Sequence, residues 1–93
     1  EPKPGVSPLN YTINSGLTAQ IGINNPNSEA VTCTVKTGQS YCTVTNAGKI
    51  TSTNTGSATE HATIEVAIGS AKFTVNVTLL GRTSQGGGGD GYE

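Results

Sequence analysis

The chain has 93 residues, the size of one domain, with 32 % hydrophobic residues, 12 % charged residues and a formal net charge of −1. Charged residues are at about half their usual share, which leaves no basic face for a nucleic-acid backbone, and no apolar run reaches the roughly 20 residues of a membrane-spanning helix. The sequence shows no basic-then-apolar signal-peptide pattern at its start.

The interior has to be built from small branched side chains. Trp and Met are absent and Phe73 is the one Phe. Val, Ile, Leu and Ala, helped by Tyr11 and Tyr41, must supply the core. β-Branched side chains are stiff at the first torsion and suit a pleated surface, so an all-β chain with almost no helix is expected. Residues 1–8 carry three of the four prolines and read as an extended leader or an edge strand. From Leu9 an alternation begins, with Leu9, Tyr11 and Ile13 on one face and Asn10 and Thr12 on the other. Asn14-Ser15-Gly16 turns into a strand on Leu17, Ala19, Ile21 and Ile23, which Asn24-Asn25-Pro26-Asn27 ends. Val31, Cys33 and Val35 form the next face, and Thr37-Gly38 reads as a tight turn. Cys42 and Val44 follow in phase. Asn46-Ala47-Gly48 leads to a short strand around Ile50, and residues 54–57 are a polar loop.

The last two strands carry the clearest pattern. Ala62, Ile64, Val66 and Ile68 alternate with Thr63, Glu65 and Ala67, Gly69-Ser70 is a two-residue hairpin, and Phe73, Val75, Val77 and Leu79 alternate again. Period two over adjacent segments is the mark of half-buried antiparallel strands. About seven short strands with turns between them imply an immunoglobulin-like β-sandwich over residues 9–80. Residues 81–93 are Gly-rich, with no apolar residue before Tyr92, and read as a flexible tail or linker.

The stretch Thr43-Val44-Thr45-Asn46-Ala47-Gly48-Lys49-Ile50-Thr51 resembles the most recognisable segment of the group-2 bacterial immunoglobulin-like family, a strand ending in a polar-small-Gly turn before a Val or Ile strand. Gly16-Leu17-Thr18-Ala19-Gln20-Ile21, Pro26, Gly56-Ser57-Ala58-Thr59 and the strand Phe73 to Val77 match other parts of that family in order. The resemblance runs from about Val6 to Leu80. Where the family often has Trp, this chain has Cys33, so its core must be filled or stapled differently. The resemblance implies a non-catalytic module of bacterial surface proteins or of bacteriophage virions, with no particular ligand.

The two cysteines are the first candidates for chemistry. If Thr37-Gly38 is a two-residue hairpin turn, Cys33 faces Cys42 as a non-hydrogen-bonded pair with Cα atoms about 4.5 Å apart. That is the short end of disulfide geometry. Such a bridge would contribute roughly 2.5–3 kcal/mol, a large share for so small a core. The alternative is two buried thiols acting as small hydrophobes. Two cysteines and one His make a poor metal site. His61 has Glu60 and Glu65 near it in sequence but no nucleophile motif, and reads as an exposed strand-end residue. Asn24, Asn25, Asn27 and Glu29 could offer oxygens to calcium, but a turn rich in Asn needs no ion. Asn10-Tyr11-Thr12 and Asn76-Val77-Thr78 match the glycosylation sequon at about the frequency chance gives.

No enzyme, metal or cofactor is expected. The first functional expectation is a virion accessory module that decorates a capsid or tail and touches host surfaces weakly. The second is a module of a secreted adhesin or cell-surface protein. The expected partners are a virion protein lattice or a bacterial surface glycan or protein, and the exposed sheet edges are a further docking surface because unpaired backbone groups can accept a strand.

Overall fold

The computed structural model describes residues 3–82. Nine strands follow one another there, with no helix among the described residues: β1 (Gly5–Ser7), β2 (Asn10–Ile13), β3 (Thr18–Gln20), β4 (Gly22–Asn24), β5 (Val31–Thr37), β6 (Cys42–Val44), β7 (Lys49–Ser52), β8 (Glu60–Ile68) and β9 (Ala71–Leu79). The two strands with the cleanest alternation are the longest. β8 buries Ala62, Ile64, Val66 and Ile68, and β9 buries Val75, Val77 and Leu79. They form an antiparallel hairpin in which Ile68 faces Ala71 across Gly69-Ser70, as the pattern requires.

Two layers enclose the core. One sheet has the order β2-β9-β8-β5 and the other β3-β7-β6, while β1 and β4 pair as a two-stranded ribbon. All pairings are antiparallel except β2 with β9, which run parallel. The nine segments reduce to the seven expected strands. Only Ile21 separates β3 from β4, and its amide donates to the Gly48 carbonyl at 2.8 Å, so these are one bent strand that leaves β7 and continues along β1. β1 and β2 are one strand interrupted at Pro8, where the chain changes sheets. The leader thus holds the edge strand β1. The last described residues, Gly81 and Arg82, still touch the domain through the Arg82 amide, which donates to Gly56 O. The rest of the expected tail lies outside the described residues.

The core is made of Ile13, Ile21, Cys33, Cys42, Ile50, Ala62, Ile64, Val66, Ile68, Val75, Val77 and Leu79. Tyr11, Tyr41 and Phe73 pack against it half-buried. Two residues assigned to the interior from alternation lie outside it. Leu9 is 43 % and Leu17 54 % exposed. Leu9 sits at the bend before β2 and Leu17 at the exit of a turn, so neither is between the two layers.

The expected Thr37-Gly38 hairpin is absent. β5 pairs with β8, placing Cys33 opposite Val66, and β6 pairs with β7, placing Cys42 opposite Ser52. The chain crosses from one sheet to the other between them. A two-residue hairpin of the favoured kind needs positive φ, which a β-branched Thr resists. Gly38 instead takes φ +74 and its carbonyl accepts the Tyr41 amide at 2.9 Å, turning the chain toward the second layer. Pairing with β8 gives the backbone groups along one edge of β8 their partners, since β9 occupies its other edge.

Candidate functional site

The topology gathers three connections and the end of the last strand at one pole. β2, β5, β7 and β9 end there, and β3, β6 and β8 begin there. The residue that organises this pole is Asn54, which is only 3 % exposed. Its Nδ2 donates to Ala58 O and Leu79 O at 3.0 Å each and approaches Leu80 O at 3.4 Å. Its Oδ1 accepts the Gly56 amide at 3.3 Å, closing an Asx turn. Ser15 Oγ donates to Asn54 O at 2.7 Å, and the Arg82 amide donates to Gly56 O at 2.7 Å. One amide side chain therefore ties the loop after β7 to the end of β9, while its backbone holds the turn after β2.

A second set of bonds joins the same loop to the turn after β5. The Thr53 amide donates to Tyr41 O at 2.9 Å, and Thr53 Oγ1 donates to Ser40 O at 3.1 Å. Between these braced segments lies an open cleft of ≈ 280 Å³, walled by Ser40, Tyr41, Thr53, Thr55, Ser57 and Glu60 among others. Its lining residues include four with hydroxyls besides Tyr41, and one carboxylate residue, Glu60. A larger cleft of ≈ 470 Å³ runs along the β1–β4 ribbon, but Gly5, Val6, Ser7, Gly22, Ile23 and Asn24 give it mostly backbone and aliphatic surface and no titratable group.

The residues singled out from sequence are dispersed. Cys33 and Cys42 are both buried and both free, and the cross-strand geometry on which a bridge was expected is replaced by the pairings with Val66 and Ser52. Burial pushes both thiols above the ordinary value of 9.0, and for Cys33 a hydrogen bond from the Gly48 backbone partly opposes this. His61 is exposed on β8 opposite Thr78, with Nδ1 3.5 Å from Thr78 Oγ1. No three His, Cys, Asp or Glu among the described residues lie close enough to hold a metal ion. The Asn-rich turn satisfies itself: Asn25 Oδ1 accepts the Glu29 amide at 2.9 Å, Asn25 Nδ2 donates to Glu29 O at 2.8 Å, and Asn24 Nδ2 reaches Lys3 O at 3.3 Å. Asn10 and Asn76 face each other at exposed positions of neighbouring strands.

The free edge of β5 is blunted. The Cys33 amide points away from β8 and donates to Asn46 Oδ1 at 3.0 Å, and Gln39 Nε2 donates to Lys36 O at 2.8 Å. Side chains occupy backbone positions that an added strand would need.

Similarity in three dimensions decides the fold. The chain is similar to a bacterial Ig-like-domain-containing GH10 xylanase from termite gut, with a TM-score of 0.62 and 18 % identity over 75 % of this chain and 18 % of that one. It is equally similar to a protocadherin GammaB4 extracellular domain, with a TM-score of 0.62 and 18 % identity over 85 % of this chain and 17 % of that one. The fold is an immunoglobulin-like β-sandwich. This chain spans less than a fifth of the length of either neighbour. No protein-family model matches it, and neither does any curated protein sequence, so the group-2 resemblance stands on its short motifs. In immunoglobulin-like terms the cleft beside Tyr41 and Glu60 sits in the connecting loops at one end of the sandwich, the part of such domains most free to vary without disturbing the core.

The sequence does not mark Asn54 as a structural hub, because a polar loop of Asn, Thr, Gly and Ser reads as solvated. The signal that could have found it is the Asn54-x-Gly56 spacing of an Asx turn.

Proposed function

We propose that this domain is a non-enzymatic interaction module displayed on a bacteriophage virion, where it decorates the capsid or tail and makes weak contacts with a host surface. The observation that carries the reading is the combination of a small immunoglobulin-like sandwich with a pole braced through Asn54, on which polar loops are held ready to contact a partner. The polar, nearly uncharged composition suits exposure on a particle surface. The group-2 resemblance of residues 43–51 supports the virion setting. A virion protein lattice or a bacterial surface glycan or protein is the partner class, and the surface of the particle is the location.

A second reading is favoured by one observation: both structural neighbours contain the fold as 17–18 % of a much longer chain. On that reading the domain is one bead of a secreted adhesin or cell-surface protein. The two are separated by fractionating a culture of the native source with an antibody raised against this domain. The proposal expects the antigen to band with DNA-containing particles in a density gradient. Antigen confined to the cell-wall or secreted fraction, on a longer polypeptide, would overturn the virion reading in favour of the adhesin.

A further inference from the structure

We infer that the pole cleft between residues 40–41 and 53–60 is a binding site for a neutral hexopyranose ring at the end of a glycan. The inference rests on the domain being an interaction module, whichever surface displays it, and it names the site and ligand class that such a module would use.

Four observations converge. The first is size. At ≈ 280 Å³ the cleft falls just below the roughly 300–1,000 Å³ range of drug-sized ligand sites, which suits a single sugar ring. The second is chemistry. A pyranose presents hydroxyls around its rim and a patch of C–H groups on its face. The lining holds the hydroxyl residues Ser40, Thr53, Thr55 and Ser57, the carboxylate residue Glu60, which can accept from two neighbouring sugar hydroxyls, and Tyr41, half-buried against the core, whose exposed ring surface would meet the C–H patch. The third is availability. The Glu60 carboxylate and the Thr55 and Ser57 hydroxyls have no side-chain or backbone hydrogen-bond partner among the described residues. They keep their full capacity for a ligand, unlike the amides of the Asn-rich turn at the opposite pole, which are spent on Glu29 and Lys3.

The fourth is rigidity. Thr53 is tied to Ser40 and Tyr41, and Asn54 ties Gly56 and Ala58 to the end of β9. The two walls are thereby held relative to each other before any ligand arrives, which reduces the ordering cost that makes weak sugar binding weaker. Charge sets the selectivity. Glu60 is the one charged residue of the lining, and no Lys or Arg joins it. Sialic acids, uronic acids and phosphorylated sugars would bring a like charge toward Glu60 and are rejected. The β1–β4 cleft is larger but offers neither a carboxylate nor an aromatic ring, so it is not the sugar site.

The test is a titration of the ¹⁵N-labelled domain, followed by amide shifts, with the methyl glycosides of glucose, galactose and mannose and with N-acetylneuraminic acid. The expected result is that at least one neutral glycoside moves the amides of Ser40, Tyr41 and residues 53–60 with a dissociation constant on the order of 1 mM, and that N-acetylneuraminic acid moves none of them. Glu60→Gln, which keeps the shape of the side chain, is expected to weaken binding about tenfold by removing a charged acceptor. Thr55→Val, at an exposed position, is expected to weaken it severalfold with an unchanged spectrum elsewhere, and Asn24→Ala in the other cleft to leave it unchanged. No shift with any of the three neutral glycosides up to about 50 mM, shifts centred on Val6 and Ile23 instead, or wild-type affinity in both Glu60→Gln and Thr55→Val would overturn the inference. None of these outcomes bears on which particle carries the domain, which the fractionation experiment decides separately.

Discussion

Replacing Asn54 with Ala tests whether one side chain organises the pole. The substitution removes two good donors, to Ala58 O and Leu79 O at 3.0 Å, and one acceptor for the Gly56 amide at 3.3 Å. Asn54 is 3 % exposed and Leu79 fully buried, so the Leu79 carbonyl loses its partner away from water, whereas Gly56 and Ala58 are exposed and their groups can be partly rehydrated. A buried polar group left unpaired costs about 1–3 kcal/mol. Three such groups at the rim of the core, with partial rescue by entering water, give a total of about 3 kcal/mol. For a domain of this size that lowers the melting temperature by about 12–24 °C. Urea denaturation followed by circular dichroism measures it, with the slope of the transition unchanged. Asn54→Asp is the companion variant. It keeps an acceptor for Gly56 but turns a carboxylate toward the Ala58 and Leu79 carbonyls, so at pH 7 it should cost at least as much as Ala. It should recover in part below about pH 4, where the protonated acid can donate one bond. A loss under about 1 kcal/mol for Asn54→Ala, or an Asp variant as stable as wild type at neutral pH, would refute the reasoning.

Other substitutions probe other layers of the account. Gly48 holds φ +89, and a Cβ there would meet Gln20 Nε2 and Ile23 Cδ1 at 3.0 Å, so Gly48→Ala should cost about 2 kcal/mol or more by chemical denaturation. Ile64 is fully buried on β8, and Ile64→Ala should cost about 3–4 kcal/mol, whereas Thr34→Ala on the exposed face of β5 should stay within about 0.5 kcal/mol, both read from denaturation midpoints. The cysteine thiols give a pH signature. Burial raises both above the ordinary 9.0 of the unfolded chain, so the folded state holds these protons more tightly. Their contribution to stability is complete below that value and is lost as pH rises above it. Denaturation midpoints should therefore fall above pH 9.0 in wild type and fall less in a Cys33→Ala, Cys42→Ala double variant, with equal slopes in both proteins contradicting the assignment.

Much of the fold is legible because period-two alternation is a local property. Ala62 to Ile68 and Phe73 to Leu79 announce two half-buried strands and the Gly69-Ser70 turn between them, and these form the centre of the first sheet. What is not legible is which strands pair across distance. Val31, Cys33 and Val35 carry the same alternation whether they fold back on Cys42 and Val44 or cross over to β8. The choice is made by the free backbone edge of β8, some thirty residues away in sequence, and by a Thr that resists the turn a hairpin needs. Exposed Leu9 and Leu17 fit the alternation equally well and fail because strand ends lie beyond the opposing layer. The candidate site was hidden for a related reason. Ser40 and Tyr41 lie on one loop and Thr53 to Glu60 on another, and only the crossover from β5 to β6 brings them together.

The arrangement of the whole pole depends on β5 and β6 belonging to opposite sheets, and a single nuclear Overhauser measurement tests this. The Ala30 carbonyl accepts the Gly69 amide at 2.9 Å, and the register continues as Val31 with Ile68 and Cys33 with Val66. Ala30 and Gly69 are thus a hydrogen-bonded pair, and three residues along, Cys33 and Val66 are a non-hydrogen-bonded pair with closely spaced α-protons. A strong Hα–Hα cross-peak between Cys33 and Val66 is expected. A strong Hα–Hα cross-peak between Cys33 and Cys42 in its place would mean that the two strands form a hairpin in one sheet, and would contradict the fold and the cleft built on it.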